Sequence, residues 1–196
     1  GIGPGAAPEI VLCMDAHDAG SYPGEPTINL IAYPHYTGAT LNTAQTNVNG
    51  GWGTTTEYEI KEITGPNGTT VRAFSLKLKS IVSPFIYNTE GAPYDVTGTN
   101  SQYMALTSGT TYTASCWAKA EKLSGGSHTG SNLIYFTGAA SIGASSMTVG
   151  PEWTRISSTV TPGTTGDYRL RHYFYNVAIG DKIWFTMPQV EEKGYA

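Results

Sequence analysis

The fold class this 196-residue sequence predicts is all-β, a sandwich or barrel of short antiparallel strands. Three observations predict it. Strand-like runs alternate apolar and polar residues; clusters of Gly, Pro, Asn and Thr separate them; and no window carries a long amphipathic helix. Composition agrees. The 24 Gly and 11 Pro supply turns, and 39% hydrophobic residues are enough to fill a core. Charged residues are 13%, about half the usual share, so solubility rests on Thr, Ser, Asn and Gly.

In chain order, Glu9–Met14 is a short apolar run, either a strand or a docking arm, and Asp15–Pro26 reads as loop. Asn29–Ala32 is a second short apolar stretch before the irregular Tyr33–Asn49. Tyr58–Lys61 reads as a strand, and Gly65-Pro66-Asn67-Gly68 as a turn, since Asn-Gly tolerates positive φ. Val71–Leu78 alternates, with Phe74, Leu76 and Leu78 on one face. Apolar runs also surround Pro84 and Tyr103–Leu106. Tyr112–Lys119 sets Tyr112, Ala114, Cys116 and Ala118 against Thr113, Ser115, Trp117 and Lys119. Asn132–Thr137 and Thr154–Thr161 are strands. Tyr168–Tyr175 sets Tyr168, Leu170, His172 and Phe174 against Arg169, Arg171, Tyr173 and Tyr175. In Lys182–Met187, Ile183 and Phe185 face away from Trp184 and Thr186.

Charge excludes several function classes. The net charge of −4 and the absence of a Lys/Arg cluster argue against nucleic acid and against an anionic membrane. No apolar run approaches the ~20 residues of a spanning helix. Gly1–Pro8 lacks the basic and apolar regions of a signal peptide and reads as a flexible arm or a cut end. Of the two cysteines, Cys116 belongs to a core-facing strand position; a Cys13–Cys116 bridge is the lesser alternative.

Catalytic signatures are absent: there is no nucleophile elbow, zinc helix, phosphate loop or dinucleotide fingerprint. His17, His35 and His128 fall in loop-like stretches, and His172 reads as a satisfied core histidine. Asp15, His17 and Asp18 have metal-like spacing, yet the segment D-A-H-D-A-G is the composition of a solvated turn, so no metal is assigned. Glu57 and Glu59 share a strand face, where they are expected to repel and stay solvated; Glu191-Glu192 reads as a polar strand exit. No catalytic residue and no cofactor is assigned.

The aromatic residues say more. Trp117, Tyr173, Tyr175 and Trp184 fall opposite the core side of their strands. Such rings can stack on the C–H face of a sugar while Arg171 or Ser115 hydrogen-bonds its hydroxyls. The same rings could instead be covered by another protein surface or by the chain's own arm.

Thr27-Ile-Asn-Leu-Ile-Ala-Tyr-Pro34 with Gly51-Trp52, Tyr112–Ala120, Trp153-Thr-Arg-Ile-Ser157, and Pro188-Gln-Val-Glu-Glu192 with Gly194 resemble, in order, the motifs of jelly-roll carbohydrate-binding modules. The resemblance implies a jelly-roll β-sandwich of two antiparallel sheets over residues 27–196, preceded by an N-terminal arm, residues 1–26. The modules on glycoside hydrolases often carry an Asp in the last strand, associated with structural calcium; Trp184–Pro188 has none, so calcium is not expected. Ile10–Ala16 with Ser21–Gly24 resembles the lead-in to sandwich domains in structural proteins of tailed phages. That implies a virion component (tail, fibre or head decoration), a homo-oligomer with other virion subunits as partners. It would bind glycan weakly and multivalently, with Trp117, Arg171, Tyr173, Tyr175 and Trp184 as candidate contacts. An ancillary module of a secreted glycoside hydrolase is the alternative.

Overall fold

A computed structural model describes residues 29–31, 56–78, 89–91, 104–130, 133–142, 146–174 and 177–192. The expectations for the arm at 1–26, for Asp15, His17, Asp18, His35, Cys13 and for Tyr175 lie outside these residues. Among the described residues there are eleven strands and no helix. They are β1 (Thr56–Thr64), β2 (Thr70–Leu78), β3 (Thr89–Gly91), β4 (Met104–Leu106), β5 (Tyr112–Glu121), β6 (His128–Gly130), β7 (Tyr135–Gly138), β8 (Met147–Val149), β9 (Thr154–Val160), β10 (Gly166–Phe174) and β11 (Lys182–Glu191).

Five strands form one antiparallel sheet in the order β1-β2-β11-β5-β9. A second sheet is built around β10, which pairs with β3, β4 and β7, and β6 pairs with β8 in a small ribbon. The expected alternation holds where strands are long. Phe74, Leu76 and Leu78 of β2, Ala114, Cys116 and Ala118 of β5, and Ile183 and Phe185 of β11 join one core cluster with Phe136, Tyr168 and Leu170 of the second sheet. Burying each large side chain stabilises the sandwich by about 1.5–3 kcal/mol. This is the jelly-roll β-sandwich that the motifs implied.

The β1–β2 hairpin closes as expected through Gly65–Gly68. The Gly68 amide donates to the Gly65 carbonyl at 3.1 Å, and Gly68 takes φ 80°, a value that favours glycine. Asn67 Oδ1 fastens the far side by accepting from the Thr69 amide at 3.2 Å.

The last strand runs further than expected, to Glu191, because it contains a bulge. Its register against β5 shifts between Thr186 and Gln189, where Met187 adopts φ 50°. Pro188, which has no N–H to give a ladder, sits at this irregularity. Asn29 closes it. Its Nδ2 donates to the Pro188 carbonyl at 3.2 Å, and its Oδ1 accepts from the amides of Val190 at 3.0 Å and Ile31 at 3.1 Å.

Three expectations are corrected. His128 is not in a loop: it opens β6 and is buried. The strand expected at Asn132–Thr137 is Tyr135–Gly138. Glu57 and Glu59 share a face as expected, but they pair with Lys77 at 3.5 Å and Lys182 at 3.3 Å instead of repelling each other.

Candidate functional site

The five residues singled out from the sequence do not gather on one surface. Trp117 of β5 and Trp184 of β11 point outward from the five-stranded sheet, whereas Arg171 and Tyr173 belong to β10 on the other side of the sandwich. Alternation reports which side of its strand a residue takes; it carries no information on which sheet the strand joins. Trp117 and Trp184 therefore share one sheet, while Arg171 belongs to the other.

On the outer face of the five-stranded sheet, each tryptophan is matched with a cation of the same face. Trp117 and Arg155 are register partners across β5 and β9, and the guanidinium lies 6.0 Å from the indole centroid. Arg155 is held in place: Nη2 donates to Ser115 Oγ at 2.7 Å and to Gln189 Oε1. Lys119 lies 5.4 Å from the centroid of Trp153, and Trp153 Nε1 donates to the Thr64 carbonyl at 2.8 Å. Lys119 also pairs with Glu121 at 3.4 Å. Trp184 lies under Lys182, at 4.7 Å, and Lys182 is shared with Glu59. Such contacts contribute about 0.5–1 kcal/mol each where solvent reaches them.

Exposure separates these rings. Trp184 is only 4% exposed, so its faces are not open to a sugar. Trp117 and Trp153 are half-buried, as are Lys119, Arg155 and Gln189. Two indoles interleaved with two cations, one of them oriented by two hydrogen bonds, make a surface that can stack on a flat apolar ring and donate to its hydroxyls. Trp153 and Arg155 were not singled out from the sequence as site residues. The signal was there, since both share the parity of Ser157 on a strand neighbouring Trp117.

The opposite face is more closed. Arg171 is the register partner of Tyr135 and Arg169 that of Thr137, and Arg169 Nε donates to Thr137 Oγ1 at 3.2 Å. Arg171 and Tyr135 are 8% and 7% exposed. Tyr173 stands opposite Glu90 in the register of β10 and β3.

The groups that most often carry chemistry have structural work here. His172 is fully buried, and its Nδ1 lies 2.7 Å from the Leu133 carbonyl. A carbonyl only accepts, so the ring carries its proton on Nδ1. Burial lowers its pKa to about 4, against a smaller opposing pull from that hydrogen bond. His128 is lowered to about 4 by burial and by the Lys122 charge, with Asp181 opposing. Cys116 is a free buried thiol, pushed up to about 12 by burial although the Arg155 charge pulls the other way. Asp181, buried at the turn before β11, accepts the amide of Leu123 at 2.8 Å with Oδ1 and that of Ala178 at 3.0 Å with Oδ2. Among the described residues, no group of three or more His, Cys, Asp and Glu could hold a metal ion.

No protein-family model and no curated protein matches the chain. Solved structures do. The arabinose-bound α-L-arabinofuranosidase MgGH51 is similar at 12% identity and a TM-score of 0.52, over 83% of this chain and 26% of the enzyme chain. The CBM22-1–GH10 modules of Clostridium thermocellum endo-1,4-beta-D-xylanase 10B, complexed with xylohexaose, reach a TM-score of 0.46 at 16% identity, over 80% of this chain and 28% of that one. TmCBM61, in complex with beta-1,4-galactotriose, reaches 0.43 at 11% identity, over 85% of this chain and 99% of that one. The chain thus spans little more than a quarter of the two enzyme chains. At 12% identity the likeness to the arabinofuranosidase is one of fold alone, an all-β jelly-roll sandwich.

Proposed function

We propose that this chain is a non-catalytic, carbohydrate-binding domain that takes glycan on the outer face of its five-stranded sheet. The observation that carries the reading is Arg155: two hydrogen bonds orient its guanidinium beside the half-buried Trp117, with Trp153 and Lys119 alongside. Binding would be weak per site, and copy number would multiply it, because effective concentration raises avidity without new contacts. The names of the similar structures, which include xylohexaose and beta-1,4-galactotriose complexes, suggest the first probes.

Calorimetric titration of the full chain with xylohexaose and beta-1,4-galactotriose, followed by a glycan array, tests the proposal. Trp117→Ala should abolish binding or weaken it by roughly tenfold or more, while Arg171→Ala should leave it unchanged. The reverse pattern moves the site to the β10 face. Absence of binding on the array rejects the reading.

The finer placement we favour is the surface of a virion, supported by the resemblance of residues 10–24 to lead-in segments of phage structural proteins. An ancillary module of a secreted glycoside hydrolase is the second reading. An antibody to this chain that labels purified phage particles supports the first; its capture of a secreted hydrolase polypeptide carrying this domain supports the second.

A further inference from the structure

The two edges of the five-stranded sheet are guarded unequally. β1 closes one edge and holds four charged residues in nine, Glu57, Glu59, Lys61 and Glu62. Among the described residues β9 closes the other. Over its seven residues, TRISSTV, it has a single charge and no proline. It keeps unbroken register with β5 from Tyr112↔Val160 to Ala118↔Thr154, so no bulge turns it away. Its one charged side chain, Arg155, is folded back over its own sheet onto Ser115 and Gln189. Thr154, Ser157 and Thr159 are exposed. Edge strands are ordinarily blunted by lysines, prolines, bulges or a covering segment, because their unpaired amides and carbonyls will template another strand. Among the described residues β9 has none of these devices.

We propose that β9 is a strand-addition edge whose occupant is a second copy of this chain, paired antiparallel about a two-fold axis at Ser157. The argument for a second copy is the self-complementarity of the strand. Centring on Ser157 uses all seven residues. It sets Thr154 against the partner subunit's Val160, Arg155 against the partner subunit's Thr159, and Ile156 against the partner subunit's Ser158. No like charges meet. Every outward residue faces an outward residue, and the core-side positions Ile156, Ser158 and Val160 stay on the core side, so neither sandwich is turned inside out. The contact is isologous and closes on itself, giving a dimer and not a fibre. It merges the two five-stranded sheets into one continuous sheet. This inference stands whether or not the sheet binds glycan.

The experiment uses the full chain. Light scattering over a wide concentration range should show the mass rising from monomer to dimer and no further. Ser157→Cys in a Cys13→Ser background should give a disulfide-linked dimer under mild oxidation. Residues opposed across an antiparallel pair have Cα atoms about 4.5–5.5 Å apart, within disulfide reach. Thr148→Cys on β8, exposed but outside β9, should give no disulfide-linked dimer. Ser157→Lys, which sets two ammonium groups against each other, should return the mass to monomer with an unchanged circular dichroism spectrum. A chain that remains monomeric at every concentration, with no Ser157→Cys cross-link, overturns the proposal. So does a dimer that Ser157→Lys leaves intact, since its contact lies elsewhere.

Discussion

The imidazole of His172 lies flat against the phenyl ring of Phe185, centroids 3.9 Å apart and planes 12° from parallel. One ring comes from β10 and the other from β11, so this contact joins the two sheets at the centre of the sandwich. It also makes stability depend on pH. Because burial holds His172 at about 4 against an ordinary 6.5, the unfolded chain binds the proton first as pH falls. Stability is therefore full above 6.5 and declines as pH drops toward 4, by roughly 3 kcal/mol for a shift of this size. His172→Phe keeps a flat ring on Phe185 and removes the titration. Urea denaturation at pH 7, 5.5 and 4.5 should show a shallower loss for the variant than for the wild type; parallel curves would refute the coupling.

Asp181 carries a buried carboxylate that ties two turns together through the amides of Leu123 and Ala178. Asp181→Ala should cost about 3 kcal/mol, since two charge-assisted hydrogen bonds are lost and their donors are left without this acceptor. Asp181→Asn, which keeps one carbonyl oxygen, should cost less. Thermal melts at neutral pH give the ranking.

Asn29→Ala removes all three hydrogen bonds that seal the bulge of β11 and should destabilise by about 1–2 kcal/mol. Asn29→Asp retains the acceptor used by Ile31 and Val190 and loses the donation to Pro188. Its effect should be smaller. An equal loss for both variants, by chemical denaturation, would mean that the Pro188 contact is the important one.

Cys116 should be inert in the folded chain. With its pKa near 12 and no exposed surface, it offers almost no thiolate. In a Cys13→Ser background, Ellman's reagent should find no thiol until denaturant is added, and then one. Immediate labelling of the native protein would show that the β5 strand opens readily.

Much of the fold was legible because a strand of eight or more residues repeats its alternation often enough to be read. That is the case for β2, β5, β10 and β11, whose inner faces were assigned from the sequence as they are found. The three-residue strands β3, β4, β6 and β8 have too few positions for a period to appear, and so His128 read as a loop residue. The extension of β11 was hidden by Pro188, which argues against a strand unless a bulge is foreseen. The ion pairs of Glu57 and Glu59 were hidden because Lys77 and Lys182 lie on other strands. The candidate site was half legible. Trp117 and Trp184 lie on the outer side of their sheet, as their alternation implied, but Trp117 and Arg171 could be placed on different sheets only once strand order was known. The partner that matters to Trp117, Arg155, lies on a strand 38 positions away in sequence.

The hydrogen bond from the Leu30 amide to the Val190 carbonyl, 2.8 Å long, has an architectural consequence. It brings Leu30 and the end of the last strand to one point. A domain wired this way can hang from another polypeptide like a bead on a short loop, since splicing it into a turn would hardly part the flanking residues of the host. By the same token, positions 29 and 191 could be joined by a short linker and the backbone opened at an exposed tip such as Ser124-Gly125. The circularly permuted chain would be expected to regain the same sandwich.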